Sequence, residues 1–184
     1  MAGSTEWRTP PEFFATLHAE FNFNVDAAAT AENALVKPIC REGGPLPGGT
    51  WREDGDCWLC HKPIGRYYTA ETDGTKREHY GPGDRVYANP PYAAKVCDRF
   101  VETAALTSRE QGALWVVLLN ATTTDSERFH RWIWDRELHR PRDRVELRLL
   151  PGRIRFYGEL GTPIPNPRYS NMLVIFRPPL EPGL

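Results

Sequence analysis

Seven consecutive apolar residues, Ala113-Leu114-Trp115-Val116-Val117-Leu118-Leu119, constrain this chain more than any other feature. A strand with one wet face alternates apolar and polar residues. An unbroken apolar run instead fits a strand covered on both faces, at the centre of an α/β sheet. Residues 171–176, Asn-Met-Leu-Val-Ile-Phe, read as a second strand of this kind. Arg85-Val86-Tyr87-Ala88 reads as a short strand, Phe21, Phe23 and Val25 alternate like another that ends at Asp26, and strand-like patterns recur at 145–150 and 152–158. Helices are expected at 9–21, 93–108 and 126–136. In the first, Thr9 is the N-cap, Pro10 and Pro11 suit the first turn, Glu12 closes a capping box, and Phe13, Phe14, Leu17 and Phe21 share a face. In the second, Val96, Phe100, Val101 and Ala104 face inward. Alternating strands and helices with strands at the end predict an α/β fold. Its sheet is mostly parallel, with an antiparallel C-terminal strand. At 184 residues the chain is expected to form one domain, 1–184.

Residues 37–84 break the pattern. They are rich in Gly and Pro, hold three of the four cysteines and show no sustained period, which predicts an irregular inserted segment. Cys57 and Cys60 are spaced as half of a tetrahedral zinc site, and Cys40, His61 and His79 are the candidates for its other ligands. Structural zinc and a pair of reduced thiols in a loop are both open readings. Cys97 reads as core.

The net charge of −1 gives no global pull toward nucleic acid. Between Arg128 and Arg155, however, nine arginines face four acids, a local excess able to follow a phosphate backbone or to form a solvated face. No apolar run approaches the ~18 residues of a membrane helix. The first twenty residues lack the apolar stretch of a secretory signal, so a cytoplasmic location and no membrane partner are expected.

The strand at 85–88 runs into Asn89-Pro90-Pro91-Tyr92. Pro-Pro after a strand is at minimum a stiff stop. It is also a way to fix two acceptors: the Asn89 side-chain oxygen and the Pro90 carbonyl, which the following proline holds in extended geometry. Two fixed acceptors can take both hydrogens of an aromatic amine and localise its lone pair. Tyr92 offers a face on which an extruded base can stack.

At a strand end, this motif resembles the catalytic motif of amino-group methyltransferases that use S-adenosylmethionine. Residues 6–14 (Glu-Trp-Arg-Thr-Pro-Pro-Glu-Phe-Phe), 24–29 (Asn-Val-Asp-Ala-Ala-Ala) and 32–34 (Glu-Asn-Ala) resemble the small phage-type DNA N6-adenine methyltransferases, the phage Dam family. So do Leu118-Leu119, Thr124-Asp125 with Phe129-His130, and 152–156 (Gly-Arg-Ile-Arg-Phe). Outside the insertion the likeness covers most of the chain in order.

The resemblance implies a Rossmann-like methyltransferase fold, S-adenosylmethionine as cofactor, double-stranded DNA as partner, and a bacterial or phage-infected cell as setting. By motif, Asn89, Pro90, Pro91 and Tyr92 are catalytic. Trp7, Thr9, Pro10, Asp26, Ala27 and Asn89 are cofactor-binding, and Asp125, Arg153 and Arg155 are nucleic-acid-binding. Most methyltransferases follow the first strand with a glycine-rich loop, whereas here it is followed by Ala-Ala-Ala-Thr-Ala. RNA or a protein amide as acceptor, and a zinc-containing nucleic-acid-binding module without catalysis, are the alternatives.

Overall fold

The computed structural model describes residues 7–36, 39–40, 44–45, 65–158, 161–165 and 169–180. In chain order these form α1 (Pro11–Phe21), β1 (Val25–Asp26), β2 (Ile39–Cys40), β3 (Gly44–Pro45), β4 (Arg66–Tyr67), β5 (Arg85–Ala88), α2 (Ala94–Gln111) and β6 (Leu114–Asn120). There follow a π-helical turn (Phe129–Ile133), β7 (Trp134–Asp135), β8 (Arg140–Pro141), β9 (Val145–Leu149) and β10 (Asn171–Phe176).

Six strands make one sheet in the order β4-β1-β5-β6-β10-β9. β4, β1, β5 and β6 run parallel, and β10 opposes both β6 and β9. The fold is therefore α/β with a mostly parallel sheet and a reversed C-terminal strand. Every residue of β6 and β10 is buried, as their unbroken apolar sequences require. Alternate residues part to opposite faces. Trp115, Val117 and Leu119 meet Cys97, Phe100, Val101 and Ala104 of α2, while Val116 and Leu118 meet Phe14, Leu17 and Phe21 of α1. A helix on each face explains why no polar alternation is visible in the central strands.

Several boundaries differ from expectation. Thr9 is not an N-cap: Pro10 holds that position, with no side-chain cap bond. The Thr9 hydroxyl instead meets the Tyr87 hydroxyl at 2.8 Å, because a phenol buried beneath α1 needs a hydrogen-bond partner. The 21–26 alternation is interrupted at Asn24. Phe21 is the last residue of α1 and Phe23 packs beside it, whereas Val25 begins the strand and lies on the α2 face. α2 runs to Gln111 and stops at Gly112, whose φ of 77° is left-handed. Val96 is 37% exposed, and Cys97 takes the inward place beside it, which bears out the core reading of that cysteine.

The helix expected at 126–136 shrinks to the π turn. Phe129 stacks on Trp134, five positions on (ring centroids 6.2 Å), and Trp134 already pairs with Pro141 in a two-strand ribbon. The 152–158 segment forms no strand and carries only isolated bridges at Tyr157, to Arg8 and Pro163. Within 37–84, the described residues 65–84 are mostly turn and loop, with one two-residue strand and one 3-10 turn (Arg77–His79) among them. Arg66 and Tyr67 form the sheet's edge strand, and Arg66 is tied to Asp84 at 2.7 Å.

Candidate active site

Because β4, β1 and β5 are parallel, their C-terminal ends open at one edge of the sheet, where α/β proteins hold ligands. A cavity of about 420 Å³ lies there. Its walls are the residues after β1 (Asp26–Thr30), those after β4 (Tyr68–Ala70 and Asp73–Thr75), the turn Asn89–Tyr92 after β5, Trp7–Thr9 from the N-terminal segment, and one flank of α2. Trp7, Thr9, Asp26, Ala27, Asn89, Pro90, Pro91 and Tyr92 all line it. Pro10 does not; it sits over a separate groove with Glu12, Phe13 and Arg155.

The asparagine is held by its amide end. Asn89 Nδ2 donates to the Trp7 carbonyl (2.6 Å) and to Thr9 Oγ1 (3.2 Å). With both amide hydrogens directed at acceptors, the Oδ1 end is fixed by exclusion. Oδ1 accepts one long bond, from the Tyr92 hydroxyl at 3.3 Å, and keeps accepting capacity. Pro90 is buried, and among the described residues no backbone N–H closes on its carbonyl. Two oxygens with accepting capacity to spare therefore belong to consecutive residues at a strand end.

Tyr92 is braced by rings, with Trp7 edge-on at 5.4 Å and Phe156 at 6.5 Å. Burial raises its hydroxyl pKa above the ordinary value, and the Cys97 thiol acts in the same direction. Asn171 and Asn120 are buried where β10 meets the end of β6, and their amides pair at 3.3 Å. Neither asparagine was singled out in the sequence. Each stands at the end of an apolar run, a position that reads equally well as an ordinary strand terminus.

Asp26 is 3% exposed. Its Oδ2 accepts the Leu35 N–H at 3.0 Å and its Oδ1 the Ala28 N–H at 3.4 Å. Burial pushes its pKa up to about 6, although both N–H bonds favour the charged form. A raised carboxyl lowers the stability of the unliganded fold as pH climbs from 3.8 through about 6, since the folded state then holds a charge it solvates poorly. The gap is worth ~3 kcal/mol. A cation or hydroxyl donor bound at Asp26 recovers part of it. A ligand that needs the carboxylate should therefore bind with constant affinity well above pH 6 and lose ~10-fold per unit below it. Titration calorimetry from pH 5 to 8 measures this, and Asp26→Asn should flatten the profile.

The backbone after β1 is approached closely by the protein's own segment after β4. Gly74, in the segment after β4, lies against the Ala27 backbone, where an added Cβ would stand 1.9 Å from the Ala27 carbonyl oxygen. Its loop is cross-braced by Asp73 Oδ1 to the Thr75 hydroxyl (2.6 Å), Tyr80 Oη to the Gly74 carbonyl (2.5 Å) and Thr103 Oγ1 to the Thr75 carbonyl (2.8 Å). Asp73 also pairs with Arg99 at 2.8 Å.

Asp125 is exposed in the turn after β6, outside the cavity lining; Ser126 rather than Asp125 meets the N–H of Phe129, at 3.4 Å. Arg153 and Arg155 are exposed, while Phe156 of the same segment packs on Trp7 at 5.3 Å, so this basic pair belongs to a segment abutting the motif. Much of the arginine excess is structural. Arg128 pairs with Asp98, Arg142 and Arg144 donate to the His130 and Pro178 carbonyls, and Arg148 binds Glu20 and Glu146. Of the zinc candidates, Cys57, Cys60 and His61 lie outside the described residues, as does the side chain of Cys40. His79 stacks on Tyr68 at 4.2 Å, with Nε2 on the Thr72 carbonyl at 3.0 Å. Among the described residues no three His, Cys, Asp or Glu side chains gather to hold a metal, and no helix is long and apolar enough to cross a membrane. No family model, curated protein or solved structure matches the chain.

Proposed function

We propose that this chain is an S-adenosylmethionine-dependent methyltransferase and that its acceptor is N6 of adenine in duplex DNA. The observation that carries the proposal is Asn89. Its amide is locked onto Trp7 and Thr9, and its oxygen, with accepting capacity to spare, lines a cavity beside the undonated Pro90 carbonyl and the buried Asp26. The strand order with one reversed strand accords with a Rossmann-like methyltransferase fold.

The residues present fit the cofactor. The cavity is within the ~300–1,000 Å³ typical of small-molecule sites. Asp26 can accept from an ammonium or ribose hydroxyls, and the small, half-buried Ala28 lies in the wall beside it. Bound there, S-adenosylmethionine supplies an electrophilic methyl group on a sulfonium. Asn89 Oδ1 and the Pro90 carbonyl accept the two N–H bonds of the adenine amine, which draws its lone pair out of conjugation with the ring. Tyr92 supports the base face, and the Trp7–Tyr92–Phe156 cluster keeps water from that side. Positioning and electrostatics do the catalytic work here, and the spent proton leaves to water.

Transfer of labelled methyl from S-adenosylmethionine to defined duplexes tests the proposal, with identification of the product base. Label in N6-methyladenine is the expected result. Label only in RNA or in a glutamine-bearing peptide reassigns the acceptor. Failure to bind S-adenosylmethionine favours a nucleic-acid-binding module instead.

A further inference from the structure

We propose that Arg8 is the anchor for the carboxylate at the amino-acid end of the cofactor, an inference that rests on the proposed function. Arg8 stands between Trp7 and Thr9, the two residues that hold Asn89, and lines the same cavity. Its backbone is pinned from both sides, since its N–H donates to the Tyr157 carbonyl at 2.9 Å and its carbonyl accepts the Tyr157 N–H at 3.0 Å. The root of the side chain is thus fixed relative to the cavity.

Its guanidinium is unspent. The Nε atom is buried without a hydrogen-bond partner, and among the described residues no carboxylate forms an ion pair with Arg8. Glu32 is near enough for Arg8 to help hold its carboxyl low, but its main partner is the Thr30 hydroxyl. A buried donor without an acceptor is costly, so such a group is a feature to be explained. The two Nη atoms form the planar, forked end of the guanidinium, which a carboxylate fills with two oxygens.

The other charges of the cavity narrow the choice of anion. Arg99, the second cation in the wall, is paired with Asp73 at 2.8 Å. Asp26 is the buried anion of the same cavity. One unpaired cation and one buried carboxylate in a single cavity match a zwitterion, with an ammonium or hydroxyl for Asp26 and a carboxylate for Arg8. A DNA phosphate would satisfy the cation alone and would leave Asp26 opposing it.

The test is calorimetric titration of the full chain and of Arg8→Gln with two thioethers. One is S-adenosylhomocysteine; the other is S-adenosyl-3-thiopropylamine, which lacks only the carboxylate. Arg8→Gln is expected to weaken the first ~10- to 100-fold and to leave the second unchanged. Equal weakening of both, or of neither, overturns the assignment. If the unsubstituted chain binds neither compound, the cofactor reading itself fails. If Arg8→Gln weakens only binding to a 20-base-pair duplex, the guanidinium serves a phosphate and the carboxylate role is overturned. Should Arg8→Gln fail to fold, Arg8→Lys keeps the charge without the fork and should lose severalfold on the carboxylate-bearing compound alone; no difference there overturns the proposal.

Discussion

Replacing Asn89 with alanine should lower methyl transfer by ~10²-fold or more while S-adenosylmethionine affinity stays within a few-fold. The size follows from what is lost. A fixed polar group aimed at charge that shifts in the transition state is worth ~10²–10³ in turnover. Its ground-state contacts are to the protein itself: the Trp7 carbonyl, Thr9 Oγ1 and the Tyr92 hydroxyl. Those neighbours are held without it, Thr9 by Tyr87 at 2.8 Å, Trp7 by Phe156, and the backbone between them by the Arg8–Tyr157 bridge. The stability cost should therefore be ~1 kcal/mol, one buried hydrogen-bond set. Asn89→Asp should be no milder, because a carboxylate would set oxygen against the Trp7 carbonyl where an N–H donates now. Single-turnover rates with saturating duplex, read beside a cofactor titration, separate the two effects. Near-normal turnover in Asn89→Ala would refute the role given to the asparagine.

The central sheet was legible because burial on both faces leaves a one-letter record. Ala113–Leu119 and 172–176 read as interior strands, and the strands gathered at the end of the chain carried the prediction that the C-terminal strand is reversed. The Asn89–Tyr92 turn was legible for a different reason: consecutive prolines restrict the backbone locally, so sequence and geometry agree without tertiary information. What sequence could not show depends on partners distant along the chain. Thr9 carries every local sign of an N-cap, but Tyr87, 78 positions away, takes its hydroxyl. Arg66–Tyr67 is a two-residue strand, too short for a period, and is an edge strand only because β1 lies beside it. The π turn at 129–133 satisfies Trp134, whose own position is set by pairing across the 134–141 ribbon. Val96 was expected inward and is exposed, because a one-residue rotation of α2 decides which of Val96 and Cys97 meets the sheet, and Cys97 does.

Gly74→Ala should do more damage than any other change of one methyl group in the described cavity wall. Gly74 does not need a left-handed φ; the constraint is proximity, since the new Cβ would lie 1.9 Å from the Ala27 carbonyl oxygen and 3.1 Å from the Tyr68 Cβ. Neither obstacle is the end of a flexible side chain. The Ala27 backbone is fixed by its N–H bond to the Tyr87 carbonyl at 2.9 Å, and Tyr68 is bonded through its N–H to the Asp26 carbonyl at 2.9 Å. The 73–75 loop itself is tied to Tyr80 and Thr103, so it has little room to back away. Overpacking costs ~1–3 kcal/mol where a core can shift, and this site should reach or exceed the upper end. That corresponds to a melting temperature lower by ~5–10 °C for a chain of this length. The loop's easiest escape is outward from β1, which would carry Asp73 and Thr75 away from the wall that faces Asp26. Ligand affinity should then fall together with stability, whereas Asn89→Ala separates turnover from both. Thermal unfolding and cofactor titration of Gly74→Ala, run beside Ala70→Gly as a control in the same segment, measure the contrast. An unchanged melting temperature and affinity in Gly74→Ala would mean that the segment after β4 does not press against β1, and that the cavity between them is not the shape on which the cofactor assignment depends.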